Sequence, residues 1–226
     1  MVLAGKVLVD DQKVEKAGAQ VAEDCVIRLL GEDLRYVGRG GLKLERALEH
    51  WNIDVEGKIC LDVGASTGGF TDCLLQRGAA RVIAVDTGYG QMEFKLRQDV
   101  RVKLLEKTNA RYLTREAVGE AVDLAAMDVS FISATLVLPA VIAAAFPALQ
   151  NQRSGRTIVV LVKPQFEVGR EHVGKGGIVR DEAAQTAAVD RVRTALLSLG
   201  AGQTDVIESP ILGMEGNREF LLRGLF

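Results

Sequence analysis

The stretch Lys58-Ile59-Cys60-Leu61-Asp62-Val63-Gly64-Ala65-Ser66-Thr67-Gly68-Gly69-Phe70 decides the fold. Its apolar run ends at an acidic residue, a glycine-rich turn follows, and residues 67–77 then show helical spacing up to Gly78. A buried strand that leads through such a turn into a helix is typical of an open, parallel α/β sheet.

The alternation of strand and helix continues along the chain. We predict a helix from Gly41, further strands at 81–85, 100–105, 122–128 and 157–162, and helices at 134–146 and 181–199. Residues 206–207 and 219–223 are predicted to close the sheet as an antiparallel pair, which gives seven strands. Near-continuously apolar strands separated by helices predict a doubly wound, mostly parallel α/β sheet with both faces covered.

Composition narrows the classes of function. The 226 residues carry 28 Lys and Arg against 30 Asp and Glu, a balance that argues against nucleic-acid binding through bulk charge. Cys25, Cys60 and Cys73 form no C-x-x-C pair, so we expect reduced thiols in a cytoplasmic protein and no metal site. The longest apolar run, 136–149, contains two prolines and predicts a buried helix rather than a membrane span.

The glycine turn predicts a nucleoside site that holds no phosphate. Asp86 follows the next strand, where a carboxylate can accept both hydroxyls of a ribose. Asp62 precedes the first glycine, and its charge would repel a pyrophosphate but attract an ammonium or sulfonium group. The spacing also differs from G-x-G-x-x-G. These features favour S-adenosylmethionine (SAM) as the cofactor.

The residues expected to bind this cofactor lie on the turn and at the strand ends. They are Asp62, Gly64, Ala65, Ser66, Gly68, Gly69, Phe70, Asp86, Tyr89, Asn109 and Asp128. Tyr89 and Asn109 are placed beside the adenine, although each is equally compatible with an ordinary loop residue. For Asp62 the alternative is a helix-cap or turn residue.

Two more strand ends carry charged side chains. Asp128 follows the fourth predicted strand and Lys163 follows the fifth. Because the carboxyl ends of parallel strands share one edge of a sheet, we expect the two to meet beside the cofactor. A strand-end salt bridge without function is the alternative.

Several stretches in fixed order carry a family resemblance. They are Gly38-Arg39-Gly40-Gly41-Leu42-Lys43-Leu44, the turn 62–70, Asp128-Val129-Ser130-Phe131-Ile132-Ser133, and segments 162–169, 173–180 and 209–221. From about Arg35 onward the chain resembles the TlyA, or hemolysin-A-like, family, which is related to the FtsJ-type ribose methyltransferases. The resemblance implies a Rossmann-like class I methyltransferase that transfers a methyl group from SAM to a ribose 2'-hydroxyl, on cytidine, in ribosomal RNA or ribosomal subunits.

The resemblance also implies a catalytic tetrad. It falls on Lys43, Asp128, Lys163 and Glu219. The strand ends indicate Asp128 and Lys163 independently, whereas Lys43 and Glu219 rest on the resemblance alone, with a solvated helix lysine and an edge-strand carboxylate as alternatives. We expect Lys163 to take the proton of the hydroxyl, with the two carboxylates orienting the lysines and the hydroxyl.

The amino-terminal residues form a separate expected module. Residues 4–9 and 14–18 resemble the end of an S-four-type RNA-binding module, whose two leading helices do not precede them. We therefore expect a partial, β-rich module at 1–34 and a methyltransferase domain at 35–226. Two other functions stay open: a SAM-dependent methyltransferase of another substrate, and a membrane-active protein, which the label hemolysin suggests. Nothing in the sequence has the long amphipathic or spanning segments that the second needs.

Overall fold

A computed structural model describes residues 7–10, 12–14, 16, 18–22, 25–29, 35–147 and 155–226. The chain divides into two compact units, Met1–Arg35 and Tyr36–Phe226. Each unit contains a β-sheet of its own.

The smaller unit contains a three-stranded antiparallel sheet. Its strands are β1 (Val7–Val9), β2 (Gln12–Lys13) and β3 (Ile27–Leu29), in the order β2-β1-β3. Asp10 turns the chain after β1 at a φ of 49°, and its Oδ1 accepts a hydrogen bond of 2.9 Å from the amide of Val26. Residues 4–6, 15 and 17 of the stretches that resemble an S-four module lie outside the described residues, and so does Leu30.

The larger unit is built around a seven-stranded sheet. Its strands are β4 (Ile59–Val63), β5 (Arg81–Val85), β6 (Val102–Leu105), β7 (Leu124–Met127), β8 (Thr157–Val162), β9 (Gln203–Glu208) and β10 (Phe220–Leu225). The order is β6-β5-β4-β7-β8-β10-β9, with β10 antiparallel to both of its neighbours and the other pairings parallel. The predicted α/β fold with a mostly parallel sheet is confirmed.

This unit contains seven α-helices within its described residues. They are α1 (Gly40–His50), α2 (Gly69–Gln76), α3 (Phe94–Arg97), α4 (Arg115–Val118), α5 (Leu138–Ala145), α6 (Pro164–Glu167) and α7 (Glu182–Ser198). The helix predicted at 134–146 instead begins as a separate 3-10 turn at Ala134–Leu136. The sequence did not predict α3, α4 and α6, because four residues are too few to show a helical period. Among the described helices, none is both long and apolar enough to cross a bilayer.

Alternate residues of the strands supply two hydrophobic cores, one on each face of the sheet. Leu61 packs into a cluster with Leu138 of α5 and Val192 of α7. Its neighbour Cys60 belongs to the opposite cluster, with Leu44 of α1. Because successive side chains of a strand point to opposite faces, the continuously apolar strands bury both faces under helices.

The order of the strands reverses between β4 and β7. From β4 the chain builds outward to β5 and β6, then returns to place β7 and β8 on the other side. The carboxyl ends of β4 and β7 form the point where open α/β sheets bind ligands.

Candidate active site

Gly64 lets the loops after β4 and β7 approach each other closely. Its φ is +88°, and a Cβ atom there would lie 2.1 Å from the carbonyl oxygen of Asp128. The amide of Gly64 donates a hydrogen bond of 2.8 Å to the carbonyl of Val85, which ties the same turn to β5. Any side chain at this position would push the two loops apart.

A first cavity of about 430 Å³ opens at this junction. Five of the predicted cofactor residues line it: Gly64, Ser66, Asp86, Asn109 and Asp128. The carboxylate of Asp86 is held by backbone amides, since Oδ2 accepts from Ser66 at 2.8 Å and Oδ1 accepts from Gly88 at 2.6 Å. Each oxygen keeps a lone pair for a further donor, which is what binding a ribose diol requires.

Three other predicted cofactor residues lie elsewhere on the turn. Ala65, Gly69 and Phe70 line a second cavity, described below. Gly68 lines neither cavity and instead turns the chain into α2 at a φ of +97°.

The two residues expected beside the adenine differ in position. Asn109 lines the first cavity, and it also caps the following 3-10 turn by accepting a hydrogen bond of 3.0 Å from the amide of Arg111. Tyr89 is 68% exposed and lines neither cavity. Its ring contacts the ammonium of Lys107, 4.5 Å from the ring centre. The structure therefore brings Asn109 to the site and leaves Tyr89 outside it.

Asp62 is buried beneath the glycine turn. Its Oδ2 accepts a hydrogen bond of 2.6 Å from the hydroxyl of Thr71, and its buried Oδ1 has no partner in the described residues. Burial raises the pKa of this carboxyl to about 7, with the charge of Asp128 adding to the effect. Asp62 lines neither cavity.

All four residues of the expected tetrad line the second cavity, which has a volume of about 550 Å³. The two cavities share a wall formed by Gly64, Ser66, Asp128, Ser130 and Phe131. A ligand in one cavity is therefore adjacent to a ligand in the other.

Lys43 and Glu219 form a buried ion pair in this cavity. The helix α1 carries Lys43, which is 8% exposed, and Glu219, 3% exposed, directly precedes β10. Their Nζ and Oε2 atoms are 2.5 Å apart. A Cβ atom at position 213 would lie 2.6 Å from Oε1 of Glu219, so the close approach requires Gly213. Neither residue is solvated, and β10 is an interior strand of the sheet.

Lys163 meets Asp128 at the same edge. Their Nζ and Oδ1 atoms are 2.7 Å apart, as an ion pair that lacks the angles of a directed hydrogen bond. The directed bond of Lys163 goes instead to the hydroxyl of Ser130, at 2.7 Å. Sequence reasoning missed Ser130. The one available signal was its place two residues after Asp128, in the loop at the strand end.

Residues 36–226 match the family described as FtsJ-like methyltransferase. The chain belongs to this family. It is 46% identical over 220 residues to the 16S/23S rRNA (cytidine-2'-O)-methyltransferase TlyA of Mycobacterium tuberculosis, across 97% of this chain and 80% of that protein. The resemblance found in the sequence is thereby confirmed.

Two solved structures share the fold of this FtsJ-like chain. A candidate hemolysin of Streptococcus thermophilus has a TM-score of 0.80 and 43% identity, across 99% of this chain and 80% of that one. Fibrillarin of Aeropyrum pernix, solved with bound SAM, has a TM-score of 0.56 at 17% identity, across 81% of this chain and 74% of that one. The fibrillarin likeness supports the fold alone.

The rim of the second cavity in this FtsJ-like domain carries exposed apolar side chains. Phe131 is 92% exposed and lies at a φ of +64°, which is unusual for an aromatic residue. Its ring centre is 5.3 Å from that of Phe166, and Met214 is exposed on the same cavity. Such backbone strain concentrates at functional sites.

Proposed function

We propose that this chain transfers a methyl group from SAM to the ribose 2'-hydroxyl of a cytidine in ribosomal RNA, acting on the RNA or on ribosomal subunits. The observation that carries the proposal is the common wall of the two cavities. One cavity offers a diol-binding carboxylate, and the other holds two lysine–carboxylate pairs. Donor and acceptor therefore meet across Gly64 and Asp128.

The first cavity fits the nucleoside end of SAM. Asp86 presents oxygens to the ribose, and Asn109 and Ser66 present polar groups beside it. The close approach at Gly64 leaves backbone, rather than side chain, facing the ligand. Asp62 and Asp128 place negative charge near the cationic end.

The second cavity supplies the groups that methyl transfer to a hydroxyl needs. Bound SAM supplies an activated methyl group, so the chain must mainly align the acceptor and remove its proton. On transfer the ribose oxygen would bond to the methyl carbon, and the sulfur of SAM would keep the electron pair of the broken carbon–sulfur bond. The proton of the hydroxyl passes to Nζ of Lys163, which must first release a proton to solvent and react as the neutral amine. Asp128 holds this lysine, and the Lys43–Glu219 pair, which lines the same cavity, positions the hydroxyl.

The rim of the second cavity favours a nucleic-acid acceptor. Exposed Phe131 and neighbouring Phe166 offer planar surfaces on which an unstacked base can lie, and Arg39 lines the same cavity. A guanidinium pairs readily with phosphate. A small-molecule acceptor would have no need of these exposed side chains.

The test is methylation of isolated 30S and 50S ribosomal subunits with labelled SAM, followed by mapping of the methyl group by mass spectrometry. We expect a 2'-O-methylcytidine in ribosomal RNA. Lys163→Ala should reduce the rate by about 100-fold or more, because the proton acceptor is lost. Lys95→Ala is the matched control, since Lys95 is exposed and lines neither cavity.

The outcomes separate the parts of the proposal. Methylation of a base or of a protein would contradict the proposal that the acceptor is a ribose 2'-hydroxyl of ribosomal RNA. The absence of transfer to either subunit would contradict it as well. A rate for Lys163→Ala equal to that of Lys95→Ala would remove Lys163 from the mechanism while leaving the acceptor intact.

A further inference from the structure

We propose that Ser130 is a positioning residue that fixes the direction in which the Lys163 amine accepts a proton. The inference rests on the proposed function and adds to it a residue outside the expected tetrad. It starts from the geometry at Nζ of Lys163.

Two contacts occupy Nζ of Lys163. Asp128 Oδ1 lies 2.7 Å away, but its angles are not those of a directed hydrogen bond. Ser130 Oγ, also at 2.7 Å, accepts a directed bond from the same nitrogen. Asp128 therefore attracts the lysine nitrogen by its charge, whereas Ser130 fixes the direction of one N–H bond of that nitrogen.

The tetrahedral geometry of the Lys163 nitrogen links these contacts to the direction of its lone pair. A lysine nitrogen is tetrahedral. Cε holds one position, the directed bond to Ser130 fixes the direction of a second, and the charge of Asp128 draws a third toward it without fixing its direction. In the neutral amine the lone pair takes the remaining position. Lys163 lines the second cavity, where the acceptor hydroxyl must lie, so the remaining position is the one that receives the proton. Without Ser130 the amine can turn about the Cε–Nζ bond and lose this alignment.

The position of Ser130 is consistent with this role. It lines both cavities and therefore stands where donor and acceptor meet. Its backbone directly follows the close approach between Asp128 and Gly64, which fixes the start of the loop. A general base must lie within hydrogen-bond reach of its proton, so a small misalignment has a large kinetic cost.

Steady-state kinetics on ribosomal subunits form the first test. We expect Ser130→Ala to reduce kcat by about 10- to 100-fold, with the KM for subunits and the Kd for SAM within about threefold of the parent values. Ser130→Thr keeps the hydroxyl and should restore kcat to within about threefold. Ser133→Ala is the matched control: Ser133 is a hydroxyl of the same segment that bonds to Glu167 and lines neither cavity.

Trace acetylation of the protein alone forms a second test that needs neither cofactor nor RNA. The acetylation of Lys163 is compared by mass spectrometry with that of exposed Lys95 as internal reference. The freed amine in Ser130→Ala should be labelled at least about threefold faster than in the parent protein.

The two tests distinguish the possible failures. An increase in KM without a decrease in kcat would make Ser130 a substrate contact and overturn the proposal. Unchanged labelling of Lys163, or a Ser130→Thr variant as slow as Ser130→Ala, would overturn it as well. If the parent protein methylates neither subunit, the proposed function fails, whereas the labelling result still decides the Ser130–Lys163 contact.

Discussion

At the scale of single residues, Asp62 is the most unusual side chain of the site. It is an acidic residue buried under the glycine turn, and one of its oxygens has no hydrogen-bond partner among the residues that the structure describes. Natural proteins rarely leave a buried carboxylate oxygen without a donor, because the charged form is then costly. A cationic ligand near this edge offsets the cost, which gives the residue a reason to persist.

The raised pKa of Asp62 predicts a pH-dependent stability. The unfolded carboxyl loses its proton near its ordinary value of 3.8, whereas the folded one keeps it up to about 7. Stability therefore falls as pH rises between these values and is constant above them. Asp62→Asn cannot ionise, so its stability relative to the parent protein should rise across this window, by up to about 4 kcal/mol.

Urea unfolding without SAM, at pH 5 and at pH 8, measures the part of this difference that lies above pH 5, about 3 kcal/mol. The buried amide of Asp62→Asn changes the free energy of unfolding equally at both values of pH. Any change with pH in the difference between the two proteins therefore comes from the ionisation of Asp62. Thr71→Val is a useful companion: it removes the hydrogen bond to Asp62, which raises the pKa of the folded carboxyl further and should extend the dependence to higher pH. Parallel pH curves for the parent protein and Asp62→Asn would contradict the burial argument.

The sequence could predict those site residues that directly follow an apolar strand. Asp86, Asp128 and Lys163 end apolar strands, so the topology of the sheet brings them to one edge. Ser130 was not predictable, because its role depends on a distance to Lys163, which is 33 residues away in sequence. Tyr89 was expected near the adenine from its loop position, but the loop turns its ring toward Lys107.

At the scale of elements, the segment Gly174–Val179 forms part of the wall of the second cavity. Buried Asn217 binds its backbone twice: Oδ1 accepts from the amide of Val179 at 2.9 Å, and Nδ2 donates to the carbonyl of Gly177 at 2.8 Å. Gln185 of α7 donates to the carbonyl of Val179 at 2.8 Å. Gly177 and Asn217 both line the cavity.

Asn217→Ala should release this segment. Losing two buried hydrogen bonds costs about 1–3 kcal/mol, so the open form of the segment should become about tenfold more populated. Trypsin cleavage after exposed Lys175 reports the opening, and the KM for ribosomal subunits should rise while the Kd for SAM stays constant.

Gln185→Ala serves as the control for this effect. It removes a buried amide that holds Val179 but leaves Gly177 in place, so its cleavage and KM should change by less than about threefold. Equal cleavage rates in the two variants would show that Gly177 is held by something other than Asn217.

At the scale of the whole molecule, the sheet was predictable and its short helices were not. Strands such as 157–162 are apolar throughout, which identifies them without knowledge of their neighbours. The helices α3, α4 and α6 have four residues each, and only tertiary contacts fix them. The pair Lys43–Glu219 joins residues 176 positions apart, which no local pattern reveals.

The division of the chain at Arg35 predicts that the larger unit is self-sufficient. Both hydrophobic clusters and the two cavities consist of residues from Tyr36 onward. A protein of residues 36–226 should keep its unfolding temperature within about 5 °C of the full chain. Its affinity for SAM should stay within about threefold. Thermal unfolding and calorimetric titration measure both.

Methylation of subunits by the same fragment tests the smaller unit. If residues 1–34 act as a partial RNA-binding module, as we propose, methylation should fall while the affinity for SAM persists. Full activity of the fragment would assign RNA docking to the larger unit alone.

The reversal of strand order also has an evolutionary consequence. The first cavity takes Ser66, Asp86 and Asn109 from one stretch of the chain, whereas Lys163 and Glu219 come later and Asp128 lines both cavities. Recombination within the gene between the codons of Asp128 and Lys163 would thus combine an inherited donor site with a new set of acceptor residues. Lys43 lies before that junction, and its partner Glu219 lies after it. Hybrids in which the incoming half lacks a carboxylate to neutralise Lys43 would be eliminated by misfolding before selection could act on their chemistry.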